Sequence, residues 1–233
     1  MSYVVLTRDQ KKDKPLADRL EQAGVPYLSV PLLKHTPGPD HDKLTRFLGD
    51  KWDWILVTSP TAAKFLLKAW KSAGEPSLRV AAIGKGTARV LQTAGLAVSY
   101  TAPKAYGTHL AGDLGGSGKV LWPTSALAGE GMERILAGRG FRLFRLNVYL
   151  TLPRQLDEGD LKTLSKATTA ALASPSAVRA WVDATSARPP VAAIGRVSAQ
   201  AALDAGFEQV WFPDDPGVEE WAGVIIDVFS RAS

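Results

Sequence analysis

The chain contains the same layout twice, and this internal duplication constrains its fold more than any other feature. Residues 80–88 read VAAIGKGTA, and residues 191–199 repeat them as VAAIGRVSA. Upstream of each copy, residues 57–63 (VTSPTAA) match residues 172–178 (LASPSAV). Both halves therefore predict one αβ module used twice.

A third pair of similar segments sets the order in which the repeated parts occur. Residues 5–8 (VLTR) precede Gly24 as residues 121–124 (LWPT) precede Gly140. Each half therefore runs through three sequence units in the same order. These are an opening unit (residues 5–8 or 121–124), a Ser-Pro unit (residues 57–63 or 172–178) and an Ile-Gly unit (residues 80–88 or 191–199). A long period with two copies is typical of a pair of lobes rather than of a solenoid, and two lobes leave a cleft between them.

Short runs of Val, Ile and Leu alternate with stretches of helical period, which is the pattern of a parallel sheet flanked by helices. The sequence predicts the α/β class, with two similar lobes of five parallel strands each. Glycines that end the periodic stretches, such as Gly24, Gly95 and Gly206, predict helix C-termini. The ten predicted strands are residues 3–7, 26–30, 53–58, 79–83, 97–101, 118–122, 141–147, 168–173, 191–194 and 208–211.

Two proline-marked segments, residues 31–39 and 148–153, lack helical period and stand at equivalent points of the two halves. We interpret them as crossovers between the lobes, and two such connectors permit hinge motion. The predicted domains are a discontinuous lobe of residues 1–34 plus 153–233, an inserted lobe of residues 38–147, and inter-lobe crossovers at residues 35–37 and 148–152.

The composition argues against a metalloenzyme and against a membrane protein. The 233 residues include no cysteine, which excludes disulfides, thiolate metal sites and thiol nucleophiles. The three histidines are scattered and lack the spacing of zinc ligands. No run approaches the roughly 18–20 consecutive apolar residues of a membrane span, and the start of the chain does not read as a signal peptide. We expect a cytoplasmic protein that binds no metal and no membrane.

Charge is unevenly distributed along the chain. Residues 35–152 carry 15 Lys plus Arg against 8 Asp plus Glu, a net charge of +7, whereas the rest carries 13 against 15, a net charge of −2. A basic lobe beside a cleft attracts anions, although surface lysines also serve solubility. The basic residues are dispersed without an aromatic-basic array, so a nucleic-acid partner is disfavoured.

Ser59-Pro60 and Ser174-Pro175 predict helix starts, each just after a strand. Serine caps the free amides, and proline is tolerated at the first helical position because its missing N–H would be unpaired anyway. This structural explanation suffices for most such pairs. Open αβ sheets nevertheless bind ligands at the carboxyl ends of their strands. Ser59 and Ser174 are therefore candidate binding residues.

The Ile-Gly units predict a second pair of helix starts, where Gly84 and Gly195 follow strands and Thr87 and Ser198 open helices. Small residues let a ligand approach the backbone, and the free amides of a helix N-terminus attract carboxylate or phosphate. Together with the Ser-Pro units, the sequence predicts four anion-suited helix ends, two in each lobe.

Three more side chains are candidates for the chemistry. Lys85 and Arg8 would add positive charge, although each alone is more often a solvated surface cation. Tyr149 lies on the return crossover, which we expect to face the space between the lobes. A phenol there would donate a hydrogen bond or a proton to a leaving hydroxyl, and a half-buried aromatic that braces the connector is an equally good explanation.

A set of short sequence pieces occurs in a characteristic order: Leu6-Thr7-Arg8, Pro31-Leu32-Leu33, Asp53-Trp54, residues 57–60, residues 83–88, Val148-Tyr149, residues 174–176 and residues 194–199. In this order, the set resembles the uroporphyrinogen-III synthase family. The resemblance implies two αβ lobes joined by a two-stranded connector, a monomer and no cofactor. Two places depart from the family pattern, because Pro123-Thr124-Ser125 stands where members commonly show Arg-Gly and Ser198 replaces a more usual Thr.

The resemblance also implies a reaction. Linear hydroxymethylbilane loses water and closes, through a spiro intermediate, to uroporphyrinogen III with its last pyrrole ring inverted, a step of haem biosynthesis. The eight carboxylates of this linear tetrapyrrole suit a basic cleft lined by helix N-termini. Because the free bilane closes unaided to the uninverted isomer, catalysis is mainly positioning. A transient contact with the preceding pathway enzyme is expected.

By the same resemblance, Tyr149 is similar to the tyrosine proposed to assist departure of the hydroxyl. Thr87 and Ser198 are similar to the family's cleft hydroxyls, and the substrate-binding residues implied around them include Ser59, Ser174, Ser176, Gly84 and Gly195. An alternative from a different class stays open at this point: a two-lobed cytoplasmic binding or sensor protein that closes on an anionic small molecule without converting it.

Overall fold

The structure is a computed structural model that describes residues 2–102, 113–129, 131–215 and 217–233. The chain divides into two compact units, unit 1 with residues 1–34 and 152–233, and unit 2 with residues 35–151. The α/β class, with parallel strands flanked by helices, is confirmed. The finer assignment of domains and crossovers stays a prediction.

Unit 1 is built on a sheet of five strands with helices on its faces. All of its strand pairs are parallel. Its elements are β1 (Val4–Leu6), α1 (Gln10–Gln22), β2 (Tyr27–Ser29), α6 (Glu158–Ser165), β9 (Thr169–Leu172), α7 (Pro175–Ala184), β10 (Val191–Ala193), α8 (Arg196–Asp204), β11 (Val210–Trp211) and α9 (Val218–Ala232).

Unit 2 is built on a sheet of six strands, two of which run across its boundaries with unit 1. Those two are β3 (Leu33–Pro37) and β8 (Phe141–Pro153). The other elements are α2 (Lys43–Phe47), β4 (Trp54–Val57), α3 (Pro60–Ser72), β5 (Val80–Ile83), α4 (Gly84–Thr93), β6 (Tyr100–Ala102), β7 (Gly118–Ser125) and α5 (Gly131–Ala137).

The two sheets have the same internal layout although the chain visits their strands in a different order. The order is β11-β10-β9-β1-β2 in unit 1 and β6-β5-β4-β7-β8 in unit 2, where β3 adds an edge beside β8. Strands β9, β10 and β11 thus correspond to β4, β5 and β6, as the sequence repeats predict. The central pairs are β1 with β9 and β4 with β7, both parallel.

The central strands are buried because helices cover both faces of each sheet. All four residues of β4 and all four of β9 are buried. In β1, Val5 packs into one apolar cluster while Val4 and Leu6 pack into another on the opposite face, as the period-2 alternation of a strand requires. Two cores per sheet therefore hold the strand ends at fixed positions.

Glycine ends three helices where the sequence predicts it. Gly24, Gly95 and Gly206 have φ angles of 68°, 89° and 84°, in the left-handed region that glycine enters without steric cost. Each follows the last residues of α1, α4 or α8. These predicted helix ends are confirmed.

The proline-marked segments form paired strands. The N–H of Gly38 donates to the carbonyl of Val148, and the N–H of Arg154 donates to the carbonyl of Leu32, so β3 and the end of β8 run antiparallel. The second sheet therefore has six strands, where five were predicted. The mostly exposed β3 shows no strand-like hydrophobic pattern in its sequence.

Some strand boundaries differ from their predicted positions. β8 continues to Pro153 instead of ending at residue 147, because its second half pairs with β3. β6 begins at Tyr100 rather than at residue 97. Within the described ranges, no helix is long and apolar enough to cross a membrane.

We expect Gly38→Ala to destabilise the protein strongly. A Cβ at this position would lie 2.3 Å from the carbonyl oxygen of Asn147 and 2.8 Å from the backbone nitrogen of Tyr149, and backbone atoms cannot rotate away. Overpacking of this kind lowers the free energy of unfolding by about 1–3 kcal/mol, which urea denaturation measures. Gly223→Ala is the control, because nothing lies within 4 Å of its added Cβ and α9 gains helix propensity. Equal midpoints for the two variants would contradict this packing.

The carboxylate of Asp40 predicts an acid-sensitive contact at β8. Its side chain accepts hydrogen bonds from Lys43 Nζ at 2.7 Å and from the N–H of Asn147 at 3.0 Å, and these bonds lower the pKa of Asp40. A lowered pKa stabilises the fold above the usual Asp range, near pH 4, and the stabilisation is lost as pH falls through the folded-state pKa. Asp40→Asn should be less stable at pH 7 and lose less stability on acidification. If the free energy of unfolding falls equally in both proteins as the pH is lowered, Asp40 does not make this contribution.

Candidate functional site

The candidate site residues gather at the carboxyl edge of each sheet, near the point where the strand order reverses. Ligands of open αβ sheets bind at such points. In unit 1 the reversal falls between β1 and β9, which are followed by Arg8 and Ser174. In unit 2 it falls between β4 and β7, and Ser59 follows β4. That the two edges share one cleft stays a prediction.

Both Ser-Pro sequences form the predicted helix caps with closely similar geometry. Ser59 has φ −157° and ψ 155°, and its Oγ accepts a hydrogen bond from the N–H of Ala62 at 2.9 Å. Ser174 has φ −167° and ψ 158°, and its Oγ accepts from the N–H of Ala177 at 3.1 Å. The duplication is therefore preserved at the level of single hydrogen bonds.

These caps leave few amides for a ligand at α3 and α7. Pro60 and Pro175 occupy the first helical positions and have no N–H. The third amide of each helix is already bonded to the capping serine. The four helix ends predicted as anion sites are therefore not equivalent, and these two are the weaker pair.

The helices of the Ile-Gly units begin differently. Neither α4 nor α8 has a side-chain hydrogen bond at its N-cap, and the first amides of a helix have no partner within it. A Cβ added at Gly195 would meet nothing within 4 Å, and the same holds for Gly86. Open space beside uncapped amides suits these two ends to an anionic group.

Cationic side chains stand beside both uncapped ends. Lys85 is exposed in the first turn of α4 and lines an open pocket with Arg89 and the end of β6. Arg196 holds the equivalent exposed position at the start of α8. Positive side chains at a helix N-terminus strengthen its attraction for a carboxylate.

The two predicted cleft hydroxyls are almost wholly buried. Thr87 is 3% exposed and Ser198 is 4% exposed. Both belong to the first turn of their helices, on the side that packs toward the sheet. Their burial favours a packing role, and direct contact of either with a ligand stays a prediction. Ser176, the second residue of α7, is half-buried.

Arg8 is engaged within unit 1. Its Nε lies 2.6 Å from Oδ1 of Asp13, its Nη2 donates to the carbonyl of Lys12 at 2.9 Å, and its guanidinium lies over the ring of Trp221. Burial raises the pKa of the Asp13 carboxyl above its ordinary value, and Arg8 partly opposes that shift. Arg8 therefore organises the start of α1, and its contact with a substrate stays a prediction.

Tyr149 is buried in unit 2 and its hydroxyl meets the cap of α3. The side chain is 7% exposed, and its hydroxyl oxygen lies 3.1 Å from Oγ of Ser59. The ring stacks on Phe65 with centroids 5.5 Å apart and planes at 13°. The ring of His35 meets it edge-on at 5.6 Å. Two predicted site residues, Tyr149 and Ser59, are thus brought into direct contact.

The neighbours that hold these groups carry no signal in the sequence. Phe65 and His35 frame Tyr149, but no motif marks them. Arg145 is unmarked as well: its Nη2 donates to the carbonyl of Ala128 at 2.8 Å and its Nη1 pairs with Glu133 at 3.2 Å. This arginine holds the loop after β7, directly beyond the three strand residues at which the sequence departs from the family pattern. Among the described residues, no group of three or more His, Asp or Glu is arranged to hold a metal ion.

The two Ile-Gly glycines should respond differently to alanine. Gly84 has φ +67°, where a Cβ costs about 1–2 kcal/mol. Gly195 has φ 176° and open space around an added Cβ. We expect Gly84→Ala to lower the free energy of unfolding by roughly that amount and Gly195→Ala to change it little, as measured by urea denaturation. The reverse ranking would contradict the backbone geometry.

Comparison with known proteins identifies the family. A family model described as Uroporphyrinogen-III synthase HemD matches residues 14–223. The chloroplastic uroporphyrinogen-III synthase of Oryza sativa subsp. japonica is 40% identical over an alignment 240 positions long, which covers 96% of this chain and 80% of that protein.

Solved structures share the fold. A uroporphyrinogen-III synthetase from Helicobacter pylori matches with a TM-score of 0.72 at 16% identity, covering 98% of this chain and 100% of that one. A mutant uroporphyrinogen III synthase from Thermus thermophilus matches with a TM-score of 0.64 at 21% identity, covering 99% and 98%. These identities show the fold alone, but the family model and the rice relative show more: the chain belongs to the uroporphyrinogen-III synthase family.

Proposed function

We propose that this chain is a cyclising lyase that converts hydroxymethylbilane to uroporphyrinogen III with loss of water. The observation that carries the proposal is the 40% identity to the rice uroporphyrinogen-III synthase over 96% of the chain. The site supports it independently, because uncapped helix ends with adjacent cations suit a polycarboxylate. No cofactor is required by this chemistry.

The chain's contribution to the reaction is mainly geometric. The main-chain amides at the starts of α4 and α8, with Lys85 and Arg196 beside them, would bind carboxylates of the substrate. Fixing the first and last pyrrole rings relative to each other redirects closure from the uninverted isomer, which forms unaided, to the inverted one. Discrimination between the two isomers then follows from which ring carbon is held near the reacting methylene.

Tyr149 is proposed as the group that assists departure of the hydroxyl. As the carbon–oxygen bond breaks, its electron pair stays on the oxygen, and the phenol supplies the proton that makes the leaving group water. The pyrrole nitrogen feeds electrons to the methylene carbon, so the barrier that the protein must lower is modest. Ring closure later releases the hydrogen of the attacked pyrrole as a proton, which restores the phenol.

The proposal also covers the setting of the reaction. We place the protein in the cytoplasm as a monomer that takes its substrate from the preceding pathway enzyme by transient contact. The spontaneous closure of free hydroxymethylbilane to the uninverted isomer supports rapid transfer. The rice relative is named chloroplastic, so the cytoplasmic assignment rests on this sequence alone.

Product analysis tests the function directly. The purified protein is incubated with freshly generated hydroxymethylbilane, and the porphyrin isomers are separated after oxidation. We expect a large excess of isomer III over a reaction without protein. Isomer I alone would exclude the synthase and favour a protein that binds an anionic ligand without converting it.

Tyr149→Phe should slow formation of isomer III by roughly 10²-fold, the lower end of general acid catalysis. The ring and its stacking on Phe65 are kept, so circular dichroism and urea denaturation should change little. Initial rates of isomer III formation, corrected for spontaneous closure, measure the effect. Unchanged turnover would remove Tyr149 from the chemistry.

A further inference from the structure

We propose that Ser59 is a positioning residue that acts on the reaction through Tyr149, rather than a residue that binds substrate. This inference rests on the proposed function and deepens it. In our proposal, the hydroxyl of Ser59 donates to the phenolic oxygen of Tyr149 and so turns the phenolic proton toward the leaving group. The cap of α3 thereby becomes part of the catalytic arrangement.

The hydrogen-bond partners of Ser59 carry this assignment. Within the described part of the chain, its Oγ has two partners: the N–H of Ala62 at 2.9 Å and the hydroxyl of Tyr149 at 3.1 Å. The amide can only donate, so it takes one lone pair of the serine oxygen. A hydroxyl carries one proton and two lone pairs, so either hydroxyl can donate in this contact. We assign the donor role to Ser59, whose proton then has the phenolic oxygen as its acceptor. The phenolic proton is then left for another acceptor.

Helix α3 contacts both the hydroxyl and the ring face of Tyr149. Ser59 at its N-cap meets the hydroxyl, and Phe65, two turns into the same helix, stacks on the ring at 5.5 Å. His35 restrains the ring from a third direction at 5.6 Å. A side chain held at its tip and its face has little freedom to rotate, which preorganises it for one reaction geometry.

The same bond would stabilise the charge that develops during the step. When the phenolic O–H bond breaks and the proton passes to the departing oxygen, negative charge builds on the phenolic oxygen of Tyr149. With the O–H of Ser59 donating to that oxygen, as proposed, the bond strengthens as the charge grows. The proton released on ring closure then returns to the phenolate.

Unit 1 provides the matched control for the cap itself. Ser174 caps α7 with the same geometry, but the chain has Leu33 at the position that corresponds to Tyr149, since Leu33 follows Gly24 at the spacing by which Tyr149 follows Gly140. Ser174→Ala therefore removes a cap alone, whereas Ser59→Ala removes a cap together with the bond to Tyr149, and we expect Ser59→Ala to lower the urea midpoint further. Comparing their stabilities separates the loss of a cap from the loss of the tyrosine contact.

The decisive measurement is a double-mutant cycle on isomer III formation. We expect Ser59→Ala to lower kcat roughly fivefold with KM nearly unchanged, and Ser59→Thr, which keeps the hydroxyl, to restore most of the rate. In the Tyr149→Phe background, Ser59→Ala should have no further effect on kcat, because the serine acts through the missing hydroxyl.

Each other outcome overturns the inference in its own way. Multiplicative losses in the double variant would show that Ser59 acts independently of Tyr149. A rise in KM without a fall in kcat would assign Ser59 to substrate binding instead. If the unaltered protein forms isomer III but Tyr149→Phe does so at full rate, this inference fails while the proposed function stands. If the unaltered protein forms isomer I alone, the proposed function itself has failed.

Discussion

One hydrogen bond, donated by the backbone N–H of Ala62 to the hydroxyl of Ser59, fixes the residue at which α3 begins. It also holds the Ser59 hydroxyl at the N-terminus of that helix. The chain leaves the buried strand β4, turns, and enters the helix within two residues, so the serine is fixed at the carboxyl edge of the sheet. The sheet therefore also sets where the hydroxyl of Tyr149 finds its hydrogen-bond partner. The packed core thus sets the geometry of the Ser59 hydroxyl, although Ser59 itself is only half-buried.

Duplication supplied two copies of one scaffold, and a few differences between the copies separate their roles. Both units keep the serine cap and the uncapped Ile-Gly helix. The tyrosine of unit 2 stands where unit 1 has Leu33, and Gly86 of α4 stands where α8 has Val197, which is 73% exposed. Anion-suited main chain is therefore common to both units, whereas the phenol belongs to unit 2 alone. The apolar Val197 gives unit 1 a different surface at the same edge.

Local signals in the sequence predicted the parts of the structure that depend on local physics. The serine caps, the helix-ending glycines and the strands that alternate with helices follow from dihedral preferences, amide satisfaction and apolar periodicity. The pairing of β3 with β8 was missed as a sheet edge because exposed strands carry no apolar pattern. The partners of Tyr149 and the ion pair between Arg8 and Asp13 join residues through the tertiary fold, and no spacing in one sequence specifies which side chains meet there.

The permuted strand order has a consequence for how the chain acquires its structure during synthesis. Unit 2 is one continuous stretch of residues 35–151, so all of its strands other than the ends of β3 and β8 leave the ribosome together. Unit 1 begins with β1 and β2 but lacks β9, the other neighbour of β1, until more than a hundred further residues have been made. A pair of three-residue strands cannot persist alone. β1 and β2 are therefore made before unit 2 but reach their final sheet after it, and the nascent chain must keep these apolar strands from pairing elsewhere in the meantime.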